Sequence, residues 1–419
     1  MPIEQPGTKA TIFGQFISPE SYETRDYLER LVVDHDWVEV NTDEDSIKKF
    51  GKPLSEIQYP VVICPRGDIL YRPTNRQMAE HMGWTFTPSR NEYDVLILGA
   101  GPAGLSAAVY ASSEGLSTLL IEKYAVGGQA GSSSLIENYL GFPQGISGVE
   151  LAELARQQST KFGTELILFQ EGIRGFYKDE QVVIQTRQGA EITAKCVICA
   201  TGVNYRKLDL PEEDKYINKG VYYGAGLSEG PYCINEDVYI VGGGNSAGQA
   251  AMNLAQFAKK VTLVVRASNL AESLSQYLID RIEKKENIDV LFDSNITALY
   301  GDDHLESIEI TTAGEKAEYR TRRVFVCIGG KPNIEYTTEN DFECDAGGYV
   351  LTGQDVLSEG KPGVWKHDRP PYPFETSLKG VFAVGDLRHN SVKRVASAVG
   401  EGAVAVSYVH RRIKEMMDV

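Results

Sequence analysis

Long apolar runs are missing from this chain. No stretch approaches the roughly 18 consecutive apolar residues of a membrane-spanning helix. The first residues, MPIEQPGTKA, contain no apolar h-region, so neither a transmembrane span nor a secretory signal is expected. Cations are also in short supply: 42 Lys and Arg stand against 58 Asp and Glu, a net charge of −16. Such an acidic surface is a poor partner for nucleic acid and for anionic membranes. Cysteine and histidine are scarce, with six of each in 419 residues. Six cysteines without a signal peptide fit a reducing cytoplasm, and the histidines are too scattered to suggest a metal site. The remainder, 42% apolar and 24% charged, is ordinary for a globular protein with two or three domains.

Residues 1–85 read as one unit. TKATIFGQF is a strand. SPESYETRDYLERLV is a helix capped by Ser18, with Pro19 at the first helical position. DWVEVNT is a second strand, YPVVICPRGDILYRP a hairpin turning at Arg66–Gly67–Asp68, and TNRQMAEHMG a closing helix. This order, β-α-β then β-β-α, resembles the thioredoxin/glutaredoxin fold. Tyr59–Pro60 falls where that fold carries a cis-proline; an ordinary trans turn is the alternative. A thioredoxin-type domain works through Cys-x-x-Cys at the start of its first helix, where the helix N-terminus lowers a thiol pKa. Here Ser18 and Ser21 stand in those places, so the domain is expected to be redox-silent: a lid, docking or oligomerisation module. Cys64, on the apolar strand VVIC, reads as core.

A polar connector covers residues 86–92, and the pattern then changes. YDVLILGAGPAGLSAAVYASSEGLSTLLIEK is strand, glycine turn, helix, strand. In Gly99-x-Gly101-x-x-Gly104, with Pro102 and Ala103 between, the first glycine permits a tight turn, the second lets backbone meet a pyrophosphate, and the third lets helix and strand pack. Glu122 ends the second strand, 18 residues after Gly104, where an acid bonds ribose hydroxyls. DVYIVGGGNSAGQAAMNLAQFAKKVTLVVRASNL repeats the grammar, with Gly242, Gly244 and Ala247 opening a helix. Its second strand ends at Arg266 rather than at an acid, which favours NADPH over NADH through the 2′-phosphate.

The motifs GAGPAG (99–104), GGQA (127–130), ENYLGFP (137–143), ATG (200–202), GGGNSA (242–247) and GVFAVGD (380–386) with Arg394-Val395-Ala396 resemble, in type and order over residues 91–419, the low-molecular-weight, bacterial-type thioredoxin reductase family. The resemblance implies an α/β fold of two Rossmann-like domains, the FAD domain (93–209 and 328–419) interrupted by an NAD(P)H domain (210–327). It implies FAD contacts from the glycine turn, Glu122, Gly128, Gln129, Asn138, Ala200, Thr201, Gly202, Gly385, Asp386, Arg394, Val395 and Ala396. The nicotinamide nucleotide is expected on Gly242, Gly244, Asn245, Ser246, Ala247 and Arg266, with NADPH preferred and NADH possible. A cytoplasmic homodimer is expected.

The family's redox pair lies in Cys-Ala-Thr-Cys after Gly-Val-x-Tyr. Here Gly220–Tyr223 is followed by Gly224, Ala225, Gly226 and Leu227, without a thiol. Cys196 and Cys199 have dithiol spacing but lie on the strand AKCVICATG. At about 3.3 Å per residue their Cα atoms stand about 10 Å apart on opposite faces, beyond the roughly 4.4–6.8 Å of a disulfide. Cys233 is a single thiol, reactive or packed. His389 and Lys393, after Gly385–Asp386, are candidates to tune the flavin or donate a proton. The long stretch 351–376, with Trp365, His367, Tyr372 and Phe374, is either a roof over a substrate pocket or a clasp.

The leading expectation is an oxidoreductase passing electrons from NADPH through FAD directly to an acceptor: a quinone, oxygen, a small molecule or an electron-transfer protein. The alternatives are a thiol–disulfide reductase, using Cys233 or an external dithiol, and a flavin-based redox sensor that binds a partner.

Overall fold

The computed structural model describes residues 9–15, 18–224, 229–334 and 342–418. Its N-terminal unit is a four-stranded sheet in the order β2-β1-β3-β4, formed by β1 (Ala10–Gly14), β2 (His35–Glu39), β3 (Val61–Ile63) and β4 (Ile69–Tyr71). β1 is parallel to β2 and antiparallel to β3, and β3 pairs antiparallel with β4. The helices are α1 (Pro19–Arg30), α2 (Asp43–Phe50) and α3 (Asn75–His81). The cap expected for α1 is present: Ser18 Oγ accepts the Ser21 N–H, with Pro19 at the first turn. The Tyr59–Pro60 bond is cis. α2 has no counterpart in the sequence reading, because DEDSIKKF contains only two apolar residues, Ile47 and Phe50. It is set by its ends, with a Thr42/Asp45 capping box, acids in the first turn and lysines in the last.

The first nucleotide unit is built on a seven-stranded sheet. β7 (Glu165–Leu168), β6 (Thr118–Glu122), β5 (Glu92–Leu98) and β10 (Glu191–Cys199) run parallel side by side. β9 (Gln181–Thr186) and β8 (Gly172–Lys178) continue the sheet antiparallel from the start of β10, and β21 (Val381–Ala383) pairs with its end. α4 (Pro102–Ser113), α5 (Gly148–Lys161) and the long α10 (Val395–Met417) belong to the same unit. α4 is buried on nearly every side, as its small residues permit.

The second unit is a five-stranded parallel sheet, β12-β19-β13-β14-β15, from β12 (Val221–Tyr223), β13 (Asp237–Val241), β14 (Lys260–Val264), β15 (Ile288–Leu291) and β19 (Arg323–Val326). α7 (Asn245–Leu254) and α8 (Gln276–Glu283) flank it, and β16 (Ser294–Tyr300), β17 (Ser307–Thr312) and β18 (Glu315–Arg320) form an antiparallel meander. β19, which opens the segment RVFVCIGGKPN (323–333), lies inside this second sheet between β12 and β13. The chain crosses back only afterwards, where β20 (Gly330–Pro332) pairs antiparallel with the outgoing β11 (Val203–Tyr205).

One apolar core joins the N-terminal unit to the first nucleotide unit: Ile12, Tyr27, Leu28, Val62 and Met78 are continuous with Val95, Ile97, Leu105 and Leu120. The connector is part of this packing. Phe86 meets Phe169 edge-on at 5.7 Å, and Gln170 donates to the Phe86 carbonyl at 2.8 Å.

Candidate functional site

Three helices begin at one cavity. α4 starts from Gly101, α7 from Gly244 and α10 from Arg394, and none of the three has a side-chain cap. Their first turns (Gly101–Ala103, Asn245–Ser246 and Arg394–Val395) line a cavity of about 540 Å³. The charged lining residues are four cations, Arg30, Lys123, Lys393 and Arg394, against two acids, Glu122 and Asp386. In a chain of net charge −16 this is a local inversion of sign, and uncapped helix N-termini add to it. The cavity suits a ligand with several negative charges.

The glycines distinguish what the protein needs from what a ligand needs. Gly99 is left-handed at φ +101°, and a Cβ there would lie 2.6 Å from the Ala200 carbonyl oxygen. A Cβ on Gly104 would collide with the carbonyl oxygen of Gly99. Both therefore serve the fold. The fold does not require Gly101: its φ is −74° and a Cβ would meet nothing nearer than 3.9 Å. Gly244 repeats the situation, with φ −93° and nothing within 4 Å. Space that only a missing Cβ keeps open, at the start of an uncapped helix, fits a dinucleotide pyrophosphate.

Of the residues expected from the sequence, Gly99, Gly101, Pro102, Ala103, Glu122, Gly128, Gln129, Asn138, Ala200, Thr201, Gly202, Gly385, Asp386, Arg394, Val395, Asn245 and Ser246 all line this cavity. Glu122 ends β6 as expected. Its Oε2 accepts the Ala100 N–H at 2.8 Å and its Oε1 the Tyr124 N–H at 2.9 Å, which fixes the carboxylate, while burial pushes its pKa up. Gln129 donates to the Val203 carbonyl at 2.5 Å, and Thr201 to that of Asn333 at 2.8 Å. Gly104, Gly242 and Ala247 lie behind the cavity wall as packing residues. Ala396 is exposed in the first turn of α10, and Arg266 is exposed two residues beyond β14.

The three candidate reactive residues separate. Lys393 reaches the cavity. Its ammonium donates to the Asp386 carbonyl at 2.7 Å and lies 4.2 Å from the Tyr349 ring centroid, and burial lowers its pKa. Burial raises that of Asp386. His389 is not brought to the cavity; its Nδ1 is 2.6 Å from Asp345 and its Nε2 3.4 Å from Glu359. Cys233 is fully buried in the core of the second nucleotide unit, where burial pushes its thiol up to about 12.

The stretch 351–376 closes on α10 rather than over the cavity. Tyr372 stacks on Tyr408 at 5.5 Å and donates to Glu415 at 2.7 Å. Arg369 joins the fully buried Glu375 to Glu415, and Trp365 donates to the Arg369 carbonyl at 2.5 Å. None of Trp365, His367, Tyr372 and Phe374 lines the cavity.

Other lining residues had no motif to announce them. Ser132 and Tyr205 share a hydrogen bond of 3.0 Å, and Asn333 is held between Thr201 and Asn204. The serine run GSSS after GGQA and the asparagine of GGKPN were the available signals. Arg30 had none. Among the described residues no His, Cys, Asp and Glu cluster could hold a metal ion, and no helix is long and apolar enough to cross a membrane.

The family described as pyridine nucleotide-disulphide oxidoreductase matches residues 93–402. Thioredoxin reductase of Bacillus subtilis (strain 168) is 34% identical over 333 residues, 78% of this chain and 96% of that protein. A "34.2 kDa protein in rubredoxin operon" of Clostridium pasteurianum is 32% identical over 324 residues, covering 77% and 97%. The crystal structure of Lactococcus lactis thioredoxin reductase superposes with a TM-score of 0.69 at 30% identity, over 77% of this chain and 99% of that one. The N-terminal unit lies outside the matched family region.

Proposed function

Because the chain belongs to the pyridine nucleotide-disulphide oxidoreductase family, as a thioredoxin reductase-like enzyme that uses FAD and NADPH, we propose that it delivers electrons directly from flavin to an acceptor outside the chain, with no internal disulfide between them. The flavin, when bound, takes up a hydride equivalent from the dihydronicotinamide and gives up two electrons to the acceptor. The chain's residues bind, orient and separate. The bare turn at Gly101 and the uncapped start of α4 receive the FAD pyrophosphate, and Glu122, already fixed by two backbone N–H groups, receives a ribose hydroxyl. The start of α7, with Asn245 and Ser246, brings the second nucleotide to the same cavity. Exposed Arg266 supplies the 2′-phosphate contact that selects NADPH.

The observation that carries the proposal is the placement of the thiols. Cys196 packs in the core on the α4 and α10 side of the first sheet, and Cys199 packs in the core on the opposite face. Burial pushes the Cys327 thiol, at the cavity wall, up to about 12, far from a working thiolate. Ala225–Leu227, at the family's dithiol position, lie outside the described residues, but their sequence contains no sulfur. A screen tests this reading. Enzyme alkylated with N-ethylmaleimide under native conditions is expected to keep NADPH oxidation with ferricyanide and with quinones. Loss of turnover on alkylation, with flavin retained, would count against it.

A further inference from the structure

The two nucleotide units do not close the cofactor cavity by themselves. Part of its wall is Arg30, in the last turn of α1 of the N-terminal unit. Its Nε donates to Asp26 Oδ2 at 2.8 Å, one turn back on the same helix, and its guanidinium carbon lies 5.7 Å from the Tyr124 ring centroid. Neither terminal nitrogen has a hydrogen-bond partner among the described residues. The side chain is only 18% exposed. A guanidinium offers five N–H donors in a planar fork, and withdrawing it from water is costly unless those donors find acceptors. Asp26 meets one of them. The others are left without a protein acceptor among the described residues, on a side chain that lines a cavity with an excess of cations and three uncapped helix starts.

The position of Arg30 is fixed from both sides. Near the start of α1, Tyr22 donates to Glu229 of the second nucleotide unit at 2.9 Å. Near its end, Tyr27 packs against Tyr124 and Phe169 of the first, at 5.2 and 6.1 Å. One helix thus spans both nucleotide units and delivers a cation where they meet.

We propose that Arg30 is a phosphate-binding residue supplied to the cofactor cavity by the N-terminal unit, its terminal nitrogens holding a phosphate oxygen of a bound dinucleotide. The inference rests on reading the cavity as the FAD and NADPH site. It gives a unit without redox cysteines a direct part in binding, and it names a contact that lies outside the region shared with the family. The shared chemistry is a dinucleotide phosphate, and the two possible sources, FAD and NADPH, are separable.

Arg30→Ala and Arg30→Lys holoenzymes are compared with wild type for FAD dissociation constant, for KM of NADPH with ferricyanide at low and high salt, and for Tm. Arg30→Ala is expected to weaken one of the two constants by about tenfold or more, the usual scale for a charge-assisted contact. Arg30→Lys should fall between, because a point charge lacks the fork. A change in FAD retention assigns the contact to FAD; a change in KM with normal flavin content assigns it to NADPH. If the alanine variant does not fold, the lysine variant carries the test, with a several-fold loss expected. Both constants within about twofold of wild type in a folded variant overturn the inference, whatever the change in Tm. Wild-type protein that retains no FAD would sink the reading of the cavity instead.

Discussion

Tyr22 donates a hydrogen bond of 2.9 Å to Glu229 across 207 residues of chain, in a cavity of about 20 Å³ where the first helix of the N-terminal unit meets the second nucleotide unit. Ser18, standing where a thioredoxin-type domain would carry a cysteine, lines the same cavity. The face that would be reactive in such a domain is buried against the rest of the chain. Arg25 lies beside it, 4.2 Å from the Trp37 ring centroid and 3.9 Å from that of Tyr232.

This junction is expected to respond to pH. Burial first, then the Asp26 charge, pushes the Glu229 carboxyl from 4.5 up to about 7. An acid whose folded pKa is raised binds more protons in the native state, so its stabilising effect is full below the unfolded value and is lost as pH rises towards the folded one. Tm should therefore fall between about pH 4.5 and pH 7, by an amount equivalent to about 3 kcal/mol at most, and level off above that. Glu229→Gln keeps an acceptor for Tyr22 and removes the titration, so its Tm should vary less over that range. Equal slopes for the two proteins would remove Glu229 from the account.

Gly101 and Gly104 separate ligand binding from folding. Gly101→Val has room for its Cβ in the protein and would fill the space proposed for the pyrophosphate, so the variant should fold but purify colourless. Gly104→Val collides with the Gly99 carbonyl and should accumulate poorly or melt well below wild type. Flavin content at 450 nm and thermal melting read both outcomes. A yellow, fully loaded Gly101→Val would place FAD elsewhere.

Arg266→Ala should raise KM for NADPH by about tenfold, the loss of one charge-assisted phosphate contact, and leave NADH kinetics nearly unchanged. Arg266 is exposed and makes no ion pair among the described residues, so the substitution should not alter Tm. Equal effects on both nucleotides would remove Arg266 from the phosphate site.

Much of this site was legible because local chemistry and global fold agree there. A strand, a glycine turn and a helix leave a signature that needs no tertiary information, and Glu122 falls at a spacing set by that unit. Ser18 and Pro19 mark the start of α1 for the same reason. Other features depend on contacts made across the chain. Arg30 carries no local mark, and it enters the cavity only because α1 packs on two other units. Asn333 reaches Thr201 and Asn204 only because β20 pairs with β11, more than a hundred positions away, and Tyr205 at the other end of that pairing bonds Ser132, 73 positions away. The segment 351–376 advertised aromatics over a pocket, yet its Arg369 finds two carboxylates, Glu375 and Glu415, on the side of α10. Buried ion pairing decided its course, and composition does not report a partner's location.

The central claim is that the flavin is the chain's only two-electron store, and anaerobic dithionite titration of the purified holoenzyme tests it most directly. Cys196→Ala/Cys199→Ala is a companion control, since both side chains are packed in separate cores and their loss should cost roughly 1–3 kcal/mol in stability without altering flavin reduction. The account predicts complete reduction at two electrons per flavin, in wild type and in the double variant alike. Uptake of four electrons per flavin would reveal a working disulfide and contradict it.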